Sequence, residues 1–130
     1  MTDVIVRPAV QGEMPVIRRL IREYPNLLMQ SDLPRIQSYF VAEHQGRIVG
    51  CCALQIYSLR LAEIRSLAVA TDFVRHGVGR SLVDACQRRA EERGIKQVMA
   101  VTSSPEFFEK NGFSTFKRER IALFFDVPQG

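Results

Sequence analysis

The chain has 130 residues, of which 46% are hydrophobic and 25% charged, with a formal net charge of +4. This length and composition predict a single globular domain over residues 1–130 and exclude a disordered, collagen-like or coiled-coil protein. No apolar run approaches the ~20 residues of a membrane span, and the N-terminus has no signal-peptide pattern. We therefore expect a cytoplasmic protein that binds neither membrane nor nucleic acid.

The first half of the chain predicts a strand, a helix and three further strands. A Val- and Ile-rich run predicts a strand over 2–7, and apolar residues spaced by three and four predict a helix over 13–24. Residues 26–35 are interpreted as a turn or the start of a short helix. Strands are predicted over 38–44 and 47–57, joined by the Gln45-Gly46 turn, and over 61–69.

The second half predicts a strand–helix–strand unit followed by a short helix and two strands. The helix over 79–93 ends before Gly94, a strand follows over 97–102, and Pro105 begins a helix over 105–111. A final strand pair is predicted over 113–116 and 121–126. This order predicts a mixed α/β sheet with helices packed on it and one right-handed parallel crossover between strands 61–69 and 97–102.

The cysteines and histidines do not have the spacing of a metal site. Cys51 and Cys52 are adjacent, so they point to opposite faces of a strand, and Cys86 lies in the helix over 79–93. No CxxC is present, and the two histidines are far apart in the sequence. We expect free, buried or half-buried thiols and no metal.

An anion site is predicted where the strand over 61–69 leads through a loop into the next helix. The residues of this loop are Arg75, His76, Gly77, Val78, Gly79 and Arg80. Glycine allows positive φ and a close approach of the backbone to a ligand, and the free N–H groups of a helix start attract an anion. The loop is not a P-loop, because no GKS or GKT follows, and it lacks the third glycine of a Rossmann fingerprint.

Several stretches of the chain resemble the GNAT superfamily of N-acetyltransferases. Residues 62–69 with 75–83 resemble its acetyl-CoA motif, and residues 105–113 resemble its late helix and terminal Gly-Phe. The resemblance covers essentially the whole chain and is strongest to the acetyltransferase domain of N-acetylglutamate synthases, through residues 40–43, 49–54, 62–69 and 105–108. It implies a mostly antiparallel sheet of six or seven strands, helices on both faces and a splayed-strand cleft for acetyl-CoA.

The resemblance also implies how acetyl-CoA is held. The backbone N–H groups of Leu67 and Val69, with Ala68 between them, are expected to bind the acetyl carbonyl and the pantetheine arm, and the amides of residues 75–80 the pyrophosphate. A strand edge left unpaired suits this role, because its N–H groups are available to a ligand amide and to the thioester oxygen. The alternatives are ordinary strand pairing and ordinary helix capping.

Glu63 matches the strand position at which several members of the superfamily place a catalytic glutamate. Such a base removes a proton from the acceptor amine, and the alternative is a salt bridge with Arg65 or another arginine. The superfamily often assigns a tyrosine of the late helix as the acid for the departing thiolate, but that position is Phe108 here. The remaining proton donors are Tyr57, Tyr39, Cys52 and solvent.

Arginines are the candidate anchors for an acceptor carboxylate. Arg65 follows Glu63 by two residues and shares its face of the strand, and Arg35 and Arg22 are further candidates, against the alternative of solvated surface arginines. We expect an acetyl-CoA-dependent N-acetyltransferase for a small-molecule amine, a monomer or homodimer, with L-glutamate as the first acceptor. The alternatives are another amino acid, a xenobiotic or a protein amine, and an acetyl-CoA-binding regulatory module without turnover.

Overall fold

A computed structural model describes residues 3–115 and 123–129 as five strands and three α-helices. In chain order these are β1 (Ile5–Pro8), α1 (Met14–Arg22), β2 (Tyr39–His44), β3 (Arg47–Ile56), β4 (Leu61–Val69), α2 (Val78–Glu92), β5 (Gln97–Met99) and α3 (Pro105–Lys110). Single 3₁₀ turns, Ile36–Ser38 and Thr71–Phe73, precede β2 and α2. In these two stretches of the chain, no helix combines the length and the apolar character of a membrane span.

The strands form one sheet in the order β1-β2-β3-β4-β5. The first four strands pair antiparallel, and β5 lies parallel to β4. α2 makes the connection from β4 to β5, as a parallel pair requires. The prediction of a mixed, mostly antiparallel sheet with one crossover is therefore confirmed.

The predicted strand count of six or seven is wrong for the described residues, which contain five. Residues 113–115 and 123–129 lie in no strand, and the rest of the predicted final pair, at 116–122, falls outside the described residues. Phe113 instead closes a turn after α3, with its N–H bonded to Phe108 O at 3.0 Å. Leu123 and Phe125 are 84% and 83% exposed, and an apolar run forms a strand only where a partner buries it.

Helices cover both faces of the sheet. Cys51 and Cys52 are adjacent on β3 and both fully buried, so neither face of this strand is open to water. The Cys52 face is covered by α2, where Cys86 Sγ lies 3.7 Å from Cys52 Sγ. The Cys51 face is covered by α1, which contacts β3 and β4 and buries an apolar stripe that includes Ile17. The prediction of free buried thiols is confirmed.

α2 approaches β3 closely at Gly50. A Cβ added at this residue would lie 3.0 Å from Leu82 Cδ1 and 3.0 Å from Val78 Cγ1. Both neighbours are buried side chains at the start of α2, so neither has solvent to move into. Gly50 therefore sets how close the first turns of α2 come to the sheet.

We expect Gly50→Ala to lower the free energy of unfolding by about 1–3 kcal/mol, because the new methyl group overpacks the contact between α2 and β3. The measurement is denaturant unfolding followed by circular dichroism. Gly79→Ala is the matched control, since a Cβ there comes no closer than 3.4 Å to any neighbour, and alanine favours the helix. Equal stability of the Gly50→Ala variant and the unmodified chain would contradict this account.

Candidate active site

The pairing of β4 with β5 ends after three residues, and the space along the unpaired part of β4 is called the cleft below. The two strands pair only from Leu61↔Gln97 to Glu63↔Met99, and β5 ends there rather than at residue 102 as predicted. From Ile64 to Val69, β4 has no strand partner on this side among the described residues, while its other side stays paired with β3. The C-terminal part of β4 is therefore a free edge.

A β-bulge turns part of this free edge outwards. Between the pairs Ala53↔Arg65 and Cys51↔Ala68, β4 has two residues, Ser66 and Leu67, opposite one residue of β3. Ser66 takes a left-handed φ of 56°, and its carbonyl accepts from Cys51 Sγ at 3.3 Å. The described peptides are all trans, so the Leu67 N–H points opposite to that carbonyl, away from the Cys51 thiol of β3.

The N–H of Val69 also points to the free edge. The peptide groups on either side of this residue are fixed by β3, because Ala70 N donates to Val49 O at 2.8 Å and Ala68 O lies 3.4 Å from the Cβ position of Gly50. Val69 is therefore in a non-hydrogen-bonded pair, and its own N–H and C=O face away from β3. Ala68 faces the other way, so its backbone groups lie on the β3 side rather than on the edge.

The Tyr24 hydroxyl reaches this edge from the residues just after α1. It donates to Val69 O at 2.5 Å and ties the end of α1 to the end of β4. Burial, and then the charge of Glu23, raise the pKa of Tyr24, so the hydroxyl keeps its proton. Tyr24 is the last residue of the helix predicted over 13–24, and helical spacing gives no information about its contact with a distant strand.

The loop after β4 ends in the uncapped N-terminus of α2. Gly77 is the N-cap residue with φ 79°, and no side chain caps the helix. The Ser81 N–H bonds to Gly77 O at 3.1 Å, so the three preceding N–H groups, from Val78 to Arg80, have no acceptor within the helix. Of the two loop glycines, only Gly77 has positive φ; the expectation for Gly79 is wrong, because this residue is already helical.

The loop and the free edge meet at Gly79. A Cβ there would lie 3.4 Å from Phe107 Cζ and 3.9 Å from Val69 Cγ2. Arg75, His76 and Arg80 are exposed around the helix start, and the His76 ring lies 6.0 Å from that of Phe73. Outward-facing N–H groups of β4 and the positive end of the α2 dipole therefore adjoin one cleft.

Glu63 and Arg65 share one face of β4, paired with Gln55 and Ala53 of β3. The Tyr57 hydroxyl donates to Glu63 Oε1 at 2.5 Å. The alternative of a salt bridge between Glu63 and Arg65 is not observed, because Arg65 Nη2 donates to a loop carbonyl, Asp32 O, at 3.2 Å. The hydrogen bond to Glu63, and to a smaller extent burial, raise the pKa of Tyr57, while the Arg65 guanidinium acts in the opposite direction.

Arg35 lies just before the 3₁₀ turn that precedes β2. It is exposed and lines a surface groove of about 430 Å³ with Arg18 and Ile36, and neither Glu63 nor Arg65 lines that groove. Of the three arginines predicted as carboxylate anchors, Arg65 shares a strand face with Glu63, Arg35 lines this groove, and Arg22 is exposed at the end of α1.

The candidate proton donors differ in their surroundings. Phe108 is buried among aromatic rings, with the ring centres of Phe107 and Phe113 at 5.1 and 5.2 Å, so this position supplies no acid. Cys52 faces α2, on the opposite side of the sheet from Glu63. Tyr39 is fully buried, its hydroxyl donates to Ser66 Oγ at 3.0 Å, and burial raises its pKa to about 12.

The chain is similar to a known protein family and to a curated relative. The match to the acetyltransferase (GNAT) domain family covers residues 35–115. An amino-acid acetyltransferase of Mycobacterium tuberculosis is 33% identical over 118 residues, which are 85% of this chain and 68% of that protein.

Solved structures extend this similarity to the fold. A Mycobacterium tuberculosis protein solved in complex with CoA and a second ligand is 33% identical with a TM-score of 0.79, over 83% of this chain and 70% of that one. N-acetylglutamate synthase from Neisseria gonorrhoeae, complexed with coenzyme A and N-acetyl-glutamate, is 28% identical with a TM-score of 0.74, over 85% of this chain. The matched part is 28% of the length of that synthase.

The left-handed φ of Ser66 predicts an inverted preference for glycine over alanine. Ser66→Gly and Ser66→Ala both remove the acceptor of Tyr39, so their difference isolates the backbone. We expect the glycine variant to be more stable by about 1–2 kcal/mol, because a Cβ strains this conformation. The measurement is the free energy of unfolding of the two variants in denaturant. At Ala62, a regular position of the same strand, Ala62→Gly is expected to destabilise; the same sign at both positions would contradict the bulge.

Proposed function

The chain belongs to the GNAT family and is an acetyl-CoA-dependent N-acetyltransferase, and we propose that its acceptor is the α-amino group of a small amino acid, with L-glutamate the first candidate. The proposal rests on one observation. The outward N–H groups of β4 lie next to the N–H groups at the start of α2, and β4 also carries Glu63 and Arg65. Such an arrangement suits the binding of a thioester and an anion near a general base.

The free edge of β4 suits the acyl end of acetyl-CoA. The outward N–H of Val69 can bond a pantetheine amide in the manner of an added strand. The outward N–H of Leu67 at the bulge can bond the thioester oxygen, on which negative charge grows as the amine attacks. Ala68, whose backbone faces β3, contributes by packing and holds these two neighbours in place.

The loop at residues 75–80 suits the pyrophosphate. Three N–H groups at the start of α2 have no acceptor in the helix, and the helix dipole adds positive potential at the same end. Arg75 and Arg80 are exposed beside these groups and supply positive charge without a fixed geometry. The distance from Gly79 to Val69 supports a single ligand that spans the loop and the strand.

Glu63 is the proposed general base. An amino group attacks only as the free amine, so its ammonium form must first give up a proton. In the proposed step the Glu63 carboxylate takes this proton, directly or through water. The amine nitrogen then forms a bond to the acetyl carbon, the C–S bond breaks, and CoA leaves as a thiolate. The second proton of the nitrogen is lost as the amide forms, and the thiolate is protonated from solvent or from an acid in the cleft.

The relatives support an amino-acid acceptor. One is named an amino-acid acetyltransferase, and the other is a synthase solved with N-acetyl-glutamate. Arg65 lies beside the proposed base, and a guanidinium binds a carboxylate through paired hydrogen bonds. An α-amino acid presents its amine and carboxylate close together, as this pair of side chains requires.

The proposal is tested by incubating the purified chain with acetyl-CoA and a panel of amines while the free thiol of CoA is followed. The panel contains L-glutamate, other L-amino acids, an alkylamine and a lysine-containing peptide. The chain's own cysteines are buried and burial raises the pKa of Cys51 to about 12, so they add little to the signal. Faster turnover of L-amino acids supports the proposal; faster turnover of the peptide or the alkylamine contradicts it.

Gly79→Val is expected to weaken acetyl-CoA binding at least tenfold in calorimetry. The branched side chain must occupy either the place of the Phe107 ring or the space in front of the helix N-terminus. Gly79→Ala is the matched control and is expected to bind acetyl-CoA nearly as well as the unmodified chain. Equal affinities for all three proteins would show that the loop does not hold the cofactor.

Glu63→Gln is expected to lower kcat by about 10²–10⁴-fold with little change in acetyl-CoA affinity, because the amide cannot accept the proton. Steady-state kinetics with the preferred acceptor and calorimetry with acetyl-CoA give the two quantities. Glu91→Gln, an exposed carboxylate on α2, is the control for the loss of one negative charge. A kcat close to that of the control would mean that Glu63 has a structural role.

Arg65→Ala is expected to raise the acceptor KM by 10-fold or more and to leave the acetyl-CoA KM nearly unchanged, because a charge-assisted hydrogen bond contributes about 1.5–3 kcal/mol. Arg65→Lys keeps the charge without the paired donors, so its acceptor KM should lie between those of the unmodified chain and of Arg65→Ala. Arg93→Ala, at the exposed end of α2, controls for net charge. An acceptor KM that does not change would exclude Arg65 as the carboxylate anchor.

A further inference from the structure

The Tyr57–Glu63 contact lies at the end of the β3–β4 hairpin. We propose that Tyr57 is a positioning residue that fixes the Glu63 carboxylate through Oε1, so that Oε2 is the oxygen that accepts the proton of the amine. This inference rests on the proposed function, because it requires Glu63 to be the base. It adds a specific residue and a specific oxygen to that role.

The backbone of Tyr57 is fixed by the hairpin. Its N–H donates to Leu61 O at 3.0 Å, and the next residue, Ser58, donates to the same carbonyl at 3.2 Å. Tyr57 therefore follows directly on β3 and faces the start of β4, two residues before Glu63. The ring is 55% exposed, yet its hydroxyl is held at 2.5 Å from Glu63 Oε1.

The hydrogen bond leaves one oxygen of the carboxylate available. Among the described residues, the structure gives Oε2 no hydrogen-bond partner and gives Glu63 no ion pair. A glutamate side chain on a strand otherwise samples several rotamers about its three side-chain torsions. The contact with Tyr57 selects one of these orientations and fixes which oxygen faces away from the hairpin.

The proton balance is simple. The acceptor ammonium loses one proton to Oε2, its lone pair becomes free to attack, and Tyr57 keeps its own proton throughout. The raised pKa of Tyr57, caused mainly by the bond to Glu63, agrees with a hydroxyl that stays a donor at neutral pH. The Arg65 guanidinium opposes that rise.

The other two tyrosine hydroxyls of the chain have partners elsewhere in the structure. Tyr39 is bonded to Ser66 in the core, and Tyr24 is bonded to the carbonyl of Val69. Of the three tyrosines in the chain, Tyr57 alone touches the proposed base. The residue is therefore distinguished by its contact rather than by its type.

A double-mutant cycle tests the inference. Tyr57→Phe is expected to lower kcat about tenfold or more, since hydrogen bonds to charged groups are worth at least that factor, with acetyl-CoA affinity unchanged. In the Glu63→Gln background the same change should cost almost nothing, because there is no carboxylate left to position. Replacement of Tyr57 by 3-fluorotyrosine, which keeps the hydroxyl and the ring, should retain kcat.

Tyr24→Phe is the matched control, because it removes the same group from a contact that does not involve Glu63. Its cost should be equal in both backgrounds. An equal cost of Tyr57→Phe in both backgrounds, or a crystal structure of that variant in which Glu63 keeps its orientation, would overturn the inference alone. A Glu63→Gln variant with unchanged kcat would instead overturn the base assignment of the proposed function, and this inference with it.

Discussion

The site depends on one extra residue in β4. At Ser66 and Leu67 the strand has two residues opposite one of β3, and the register therefore shifts by one position between Arg65 and Ala68. A one-residue shift moves every later side chain to the opposite face. Because of it, Arg65 before the bulge and Ala68 after it lie on the same face, and the Leu67 peptide between them is turned away from the ladder. The remaining strand can pair fully with β3 and still present donors to a ligand.

The second constraint is the close packing of α2. Gly50 on β3 lets the first turns of this helix approach the sheet, with Leu82 and Val78 where a side chain would otherwise stand. Gly79 lets Phe107 of α3 lie against the same end of the helix. The start of α2 therefore packs against β3 on one side and against α3 on the other, next to Val69. The anion site and the strand edge are aligned by this packing.

Elements with a clear period were predictable from the sequence, and contacts between distant elements were not. The alternation in residues 61–69 gave the observed bounds of β4, and the spacing of apolar residues with Gly94 gave α2 to within one residue. β5 was predicted to extend to residue 102, because nothing in the residues of either strand indicates where β4 and β5 stop pairing. The bulge was missed because serine, and not glycine, takes the left-handed conformation there.

The candidate site shows the same division. Glu63 and the edge residues were named from the resemblance, and the loop from its glycines and basic flanks; in the structure the loop and the edge meet at Gly79. Arg35 lines a surface groove, and its role as a carboxylate anchor stays a prediction, because the sequence does not give the path of residues 26–38. The hydroxyl contacts of Tyr24 and Tyr57 join residues that are 45 and 6 positions apart, and only the folded chain shows them.

The hydrogen bond from Tyr24 to Val69 O has a consequence for the behaviour of the chain at high concentration. A free strand edge is a template on which a strand of another molecule can add, and regular spacing of its donors and acceptors is what makes this possible. Here the spacing is interrupted twice, by the bulge at Ser66 and by a hydroxyl that already occupies the carbonyl of Val69. A long regular strand therefore cannot continue the ladder, whereas a short ligand with one or two amides still can. Because its backbone is irregular, this edge favours short ligands over long strands.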